Sequence, residues 1–188
     1  MRFLVLPASL LLAFAVHAAP HQERSDDMDR AQPDRGLIGQ LDQVRQTVTD
    51  RTSELVVSAI GFLGVPYRRG GNTAESGFDC SGFVRAMYNQ TVGLVLPRRA
   101  EEQAAATQPV ARADMKPGDL VFFNTMRKAF SHVGIYVGGG KFIHSPRSGS
   151  DVRIDDMGSA YWLKRFNGAR RADIAALVDP AATPAASQ

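Results

Sequence analysis

A chain of 188 residues with 44% hydrophobic and 8% aromatic side chains is long enough to bury a sizeable core and short enough for one domain with tails. The formal charge of +3 is a small excess, and the basic doublets Arg68-Arg69, Arg98-Arg99, Lys164-Arg165 and Arg170-Arg171 are scattered, with Glu101-Glu102 diluting one of them. The concentrated patch that nucleic acid requires is therefore missing, and one cysteine, Cys80, excludes an intrachain disulfide.

Met1 to Ala19 reads as a secretory signal: Arg2 is a minimal basic start, Phe3 to Val16 is apolar, and Val16 and Ala18 supply small residues for cleavage. The apolar stretch falls short of the roughly 20 residues that span a bilayer, so the expected location is exported, in the periplasm or secreted, with no membrane segment after cleavage. With no cysteine near the cleavage site, lipidation there is excluded. Thiols outside the cytosol tend to pair, so the unpaired Cys80 needs a purpose other than stapling.

Pro20 to Gly36 is polar and charged, a composition that buries too little surface to offset chain entropy. Residues 20–52 are expected to form a flexible leader containing a helix over 37–50, with apolar residues at 37, 38, 41, 44 and 48. A new helix should open at Ser53, its cap, with Leu55, Val56, Ala59, Ile60 and Leu63 at helical spacing and Gly64 and Pro66 as the stop. The folded domain is expected over 53–172, and 173–188, ending in Ala, Pro and Ser, as a disordered tail.

Asp79 or Ser81 can cap a helix through Phe83, Val84, Met87 and Tyr88, placing Cys80 at its first turn. Unsatisfied amides and the positive end of the helix dipole favour a thiolate there, and the thiolate is the reactive form. Gly77 and Gly82 would let a substrate backbone approach. Further on, Lys116-Pro117-Gly118-Asp119 turns the chain into Leu120 to Phe123, an apolar run of buried-strand length.

Ser131 to Val137 alternates, and Gly138-Gly139-Gly140 turns it back into Lys141 to His144, which is a β-hairpin. If all three glycines form the loop, Val137 opposes Lys141 and Gly134 opposes His144. Both histidines then project from one face as diagonal neighbours, roughly 7 to 8 Å apart at the backbone. A two-residue loop would send them to opposite faces. Lys164 to Arg171 can supply a closing strand with Trp162 and Phe166 as anchors.

Cys80, His132 and His144 thus read as a nucleophile with two imidazole partners, since a thiol, a base and a group orienting the base are what acyl transfer requires. The same three are ordinary zinc ligands, but the spacing lacks the short ligand pairs of structural zinc motifs, and no metal and no cofactor are expected.

The strings Gly64-Val65-Pro66-Tyr67-Arg68-Arg69-Gly70-Gly71, Phe78-Asp79-Cys80-Ser81-Gly82-Phe83, Leu96-Pro97-Arg98, Lys116-Pro117-Gly118-Asp119-Leu120-Val121-Phe122-Phe123 and His132-Val133-Gly134-Ile135-Tyr136-Val137 closely resemble, in order, the blocks of the NlpC-type bacterial cell-wall cysteine peptidases. The resemblance covers about Ser53 to Arg171. It implies a papain-like α+β fold, with helices near the amino end and the cysteine helix packed on an antiparallel sheet that carries both histidines. It also implies Cys80 as nucleophile, His132 as base and His144 as the residue orienting it, with Tyr67, Asp79 and Ser81 lining the same cleft for substrate.

Two departures bear on preference: Arg69 stands where the family usually has tryptophan, and Arg99-Ala100 replaces a serine or threonine pair, while Gln103 still matches. The implied function is a secreted endopeptidase acting on peptidoglycan stem peptides, at the D-glutamyl-diaminopimelate bond or the cross-link. A non-catalytic wall-binding module, or an acyltransferase or amidase on a related fold, are the alternatives, and a protein regulator is left unassigned.

Overall fold

The computed structural model describes residues 35–125 and 127–178; the expected signal peptide, the start of the leader and residues 179–188 of the tail lie outside them. Where two helices were expected, a single α1 runs Arg35–Ile60. Ser53 does not cap: its hydroxyl donates to the Thr49 carbonyl at 3.0 Å, and Thr52 likewise to Val48 at 2.6 Å. Hydroxyls that back-bond within a helix let it continue, and no glycine or proline interrupts 50–53. Only the second half of α1 packs on the core, through Leu55 and Ala59, whereas Leu41 and Val57 stay exposed. No described helix is long and apolar enough to cross a membrane.

A short antiparallel pair, β1 (Asn72–Thr73) and β2 (Gly77–Phe78), leads into α2 (Cys80–Val92). Asp79 caps α2 by accepting from the Gly82 amide at 2.7 Å, and Gly93 ends it in the left-handed region at φ 73°. A Cβ on Gly82 would lie 2.1 Å from the Gly71 carbonyl oxygen, so only glycine lets these two segments close on each other here. After α3 (Ala100–Ala105) come β3 (Gln108–Val110), β4 (Leu120–Phe123), β5 (His132–Gly138), β6 (Lys141–His144), β7 (Arg153–Asp156), a short α4 (Ala160–Leu163), β8 (Phe166–Arg171) and α5 (Ala175–Val178).

Six strands form one antiparallel sheet in the order β3-β8-β4-β5-β6-β7. β4 alternates between two layers: Leu120 and Phe122 join Phe83, Met87, Tyr88 and Leu55 under the helices, while Val121 and Phe123 join Phe142, Met157 and Trp162 on the opposite face. All four β4 residues are buried, because both faces of the sheet are covered. β8, expected as a closing strand, lies inside the sheet between β3 and β4. The first residues of the expected tail are also structured: Ile174 is buried, Asp173 accepts from the Ala176 amide, and α5 follows. The fold is the expected α+β arrangement, with the Cys80 helix packed on an antiparallel sheet.

The β5–β6 hairpin reaches the expected register by another route. Gly138, not Val137, opposes Lys141, which leaves a two-residue loop, Gly139-Gly140, with both φ angles positive. A register shift between Tyr136 and Gly138 takes up Val137 as an extra residue, so Ile135 still opposes Ile143 and both histidines keep one face. The two-residue loop alone would have separated them.

Candidate active site

Cys80 opens α2, His132 opens β5, and both line one cleft of about 600 Å³ together with Tyr67 and Trp162. The backbone amides of Val133, Ser81 and Cys80 itself point at the sulfur and lower its pKa. Burial, and next the Asp79 carboxylate, outweigh them and push the thiol up to about 11. Burial thus outweighs the helix start and favours the thiol over the thiolate in the resting site, against the expectation of a thiolate there. Desolvation of the charged form is the physical reason, and it makes a base next to the sulfur indispensable.

His132 and His144 are buried and share a hydrogen bond, His132 Nε2 to His144 Nδ1 at 2.7 Å. His144 Nε2 in turn lies 3.0 Å from Asp155 Oδ2. A carboxylate only accepts, and the direction of every proton follows from that. His144 donates from Nε2, its bare Nδ1 accepts from His132 Nε2, and His132 is left with a bare Nδ1 as the nitrogen free for the cleft. Burial is the main cause that depresses both imidazoles; His144 adds to the depression of His132, and the hydrogen bond to Asp155 opposes it in His144. Both rings are accordingly neutral at pH 7, and His132 is an acceptor ready for a proton.

Asp155 was not anticipated. β7 pairs beside β6 with Arg153 opposite His144 and Asp155 opposite Phe142, so Asp155 shares the face of the histidines. The Trp162 indole donates to Asp155 Oδ2 at 2.9 Å, and the Arg153 guanidinium reaches both oxygens. With the His144 hydrogen bond as the largest cause, these donors hold the carboxyl well below the usual range, so it stays ionised. Trp162, expected as a core anchor, also stacks on His132 with centroids 5.5 Å apart at 20°. The signal was present as the alternation Val152-Arg153-Ile154-Asp155, which reads as a strand once paired with the hairpin.

Tyr67 lies in the cleft as expected; burial and then the neighbouring Cys80 raise its pKa, so it keeps its hydroxyl proton. Asp79 and Ser81 do not line the cleft wall. Asp79 Oδ1 accepts from the Gly82 amide and Arg98, and Oδ2 from the Gly70 amide at 2.9 Å and Arg98 at 2.6 Å. Arg98 also donates to the Ser81 hydroxyl at 3.0 Å, and the Gln103 amide to the Ser81 carbonyl at 3.0 Å. Both residues are occupied in fixing the start of the helix, which is how they serve Cys80. Arg69 is exposed and does not line the cleft, so it forms no wall in place of the tryptophan.

The NlpC/P60 family model matches residues 64–171, which contain the cysteine, both histidines and Asp155. The chain is 45% identical over 120 residues to a Bacillus subtilis gamma-DL-glutamyl hydrolase, covering 63% of this chain and 29% of that one. It is 46% identical over 112 residues to the Escherichia coli murein DD-endopeptidase MepH, covering 58% of this chain and 41% of that one. The chain thus spans less than half the length of either curated relative. An NlpC/P60 family crystal structure from Bacillus cereus superposes with a TM-score of 0.59 at 34% identity, covering 64% of this chain and 39% of that one. Matched sequence, matched fold and a thiol beside an imidazole relay agree, and the chain belongs to the NlpC/P60 family.

Proposed function

We propose that the protein is a secreted cysteine endopeptidase that hydrolyses peptide bonds in peptidoglycan stem peptides. The observation that carries the reading is a cleft in which Cys80 and the bare Nδ1 of His132 are both presented, with His144 and Asp155 fixing that tautomer from behind. His132 Nδ1 takes the Cys80 proton as the sulfur attacks the substrate carbonyl carbon, and the positive charge formed on the ring is shared toward His144 and Asp155. The Cys80 amide and the Tyr67 hydroxyl serve the oxyanion. His132 then protonates the leaving amine, and later takes a proton from the water that releases the acyl group.

No metal enters this scheme: both ring nitrogens of His144 are engaged, one with His132 at 2.7 Å and the other with Asp155 at 3.0 Å, so the cysteine and the two histidines do not converge on one ion. On the same reading residues 1–19 are an export signal, consistent with a substrate outside the cytoplasm, and the catalytic unit falls within 53–172. The gamma-glutamyl bond within a stem and the cross-link between stems are the candidate bonds, in line with the two relatives' names.

Purified protein incubated with whole peptidoglycan, followed by mass spectrometry of the soluble products, tests the proposal. Wild type is expected to release muropeptides cut at one of these two bonds, and Cys80→Ala to release none while still sedimenting with the wall. Product release by the Cys80→Ala protein equal to wild type would overturn it.

A further inference from the structure

The cleft that holds Cys80 is lined by two guanidinium side chains, Arg147 and Arg153, and by no carboxylate. The two arginines differ in what they are free to do. Arg153 is committed to Asp155 through three hydrogen bonds of 3.1 to 3.3 Å. The Arg147 side chain has no partner among the described residues and is exposed.

The loop that bears Arg147 is nevertheless held in place. At one end Ser145 donates to the Phe78 carbonyl at 2.7 Å; at the other the Tyr67 amide donates to the Ser150 carbonyl at 2.8 Å, and within the turn the Ser150 amide donates to the Arg147 carbonyl at 3.1 Å. Both anchors belong to the segment that carries Tyr67 and runs into Cys80. Tyr161, which also lines the cleft, has the Arg165 guanidinium stacked over its ring at 3.8 Å from the centroid.

We infer that Arg147 is a specificity-determining residue that binds a substrate carboxylate lying beside the scissile bond. The inference rests on the peptidase reading and adds the chemistry that the site selects. Both candidate bonds offer such a group: a gamma-linked glutamate keeps its α-carboxylate on the acyl side, and a cross-link through diaminopimelate keeps one on the amine side. A planar guanidinium accommodates either bidentately, and a carboxamide in the same place offers one oxygen and no charge.

Four peptides make the test: a gamma-glutamyl peptide and its isoglutaminyl counterpart, and a cross-linked dimer with the amine-side carboxylate free or amidated. Wild type is expected to prefer the carboxylate member of one pair by roughly tenfold in kcat/KM, as an exposed charge-assisted contact allows. Arg147→Ala should bring that ratio close to one and Arg147→Lys should keep part of it, and the responding pair identifies the carboxylate. A merely structural role would lower both members alike and leave the ratio standing.

Binding gives a second reading. Trp162 is the one tryptophan in the sequence and lines the cleft, so its emission in the Cys80→Ala protein reports the Kd of each peptide whether or not it is cleaved. Failure to cleave any peptide would count against the hydrolase reading alone, because the ratio of Kd values still judges Arg147. An unchanged carboxylate preference after Arg147→Ala, or no preference in wild type for either pair, overturns the inference.

Discussion

Ser145, the residue after His144, donates its hydroxyl to the carbonyl of Phe78, two residues before Cys80, at 2.7 Å. Ser145 is fully buried, so this bond ties the histidine side of the site to the nucleophile side without competition from water. The Phe78 carbonyl keeps a second donor, the Arg68 amide at 2.9 Å, and is not orphaned if the serine is removed.

Ser145→Ala is therefore expected to cost about 1 kcal/mol of stability, the net worth of one buried hydrogen bond. Because the bond sets the spacing of the two halves, kcat/KM should fall by about tenfold as well. Urea unfolding and turnover on the same preparation measure both; full activity with the expected loss of stability would mean the spacing is held elsewhere.

Asp155→Asn removes the acceptor that orders the relay. An amide can present its NH2 group to His144, which would reverse both tautomers and place a proton on His132 Nδ1, where a bare nitrogen is needed. The expected outcome is a fall in kcat of about 10²-fold or more with KM little changed, as for a group that acts through the base. A variant that retains wild-type kcat would remove Asp155 from the mechanism.

The thiol held up at about 11 predicts slow alkylation at neutral pH. Iodoacetamide should label Cys80 slowly at pH 7 and faster as pH rises toward that value, with His132→Ala slowing the neutral reaction further. Rapid labelling that is flat between pH 6 and 8 would show a standing thiolate-imidazolium pair instead.

Acid should affect activity and stability in the same direction. Both imidazoles are depressed below their ordinary 6.5 in the folded protein, so unfolding takes up protons once pH drops under 6.5, and stability contributed by the neutral pair is lost from there downward. Asp155, also depressed, adds a loss below its ordinary 3.8. The acid limb of kcat/KM is expected below pH 6.5, since His132 stays neutral past the point where a free histidine charges. Denaturant midpoints from pH 7.5 to 4.5 check the first statement and the pH profile checks the second; an acid limb centred above 6.5 would contradict the burial argument.

Asp79→Ala removes a helix cap and the carboxylate that Arg98 and the Gly70 amide share. A loss of about 1 to 3 kcal/mol is expected, with kcat reduced because the first turn around Cys80 loses its anchor. Circular dichroism melts paired with turnover test it, and a variant as stable as wild type would show the cap to be redundant.

The site was legible in the sequence where local periodicity decides it. Alternation with an assumed three-glycine loop put both histidines on one face, a placement that the actual two-residue loop keeps only through the extra residue at Val137, and a cap residue followed by apolar spacing placed Cys80 at a helix start. Asp155 escaped because its partnership with His144 is made across strands, and nothing local marks a carboxylate that a distant imidazole will orient. Asp79 and Ser81 were correctly drawn to the vicinity of Cys80 but not to the cleft wall, because their true partner, Arg98, sits on a separate segment. The break expected at Ser53 failed for a local reason: serine and threonine can bond backward as well as cap, and no glycine or proline lies between Gln40 and Ile60 of α1.

The last strand among the described residues, Phe166–Arg171, lies in the interior of the sheet, with Gln108–Val110 on one side and Leu120–Phe123 on the other. During synthesis the sheet therefore stays in two pieces until residues 166–171 emerge, and Leu120–Phe123 waits with one edge bare. A ribosome stalled at Arg165 would leave a chain that has every residue of the relay and no closed core to hold it.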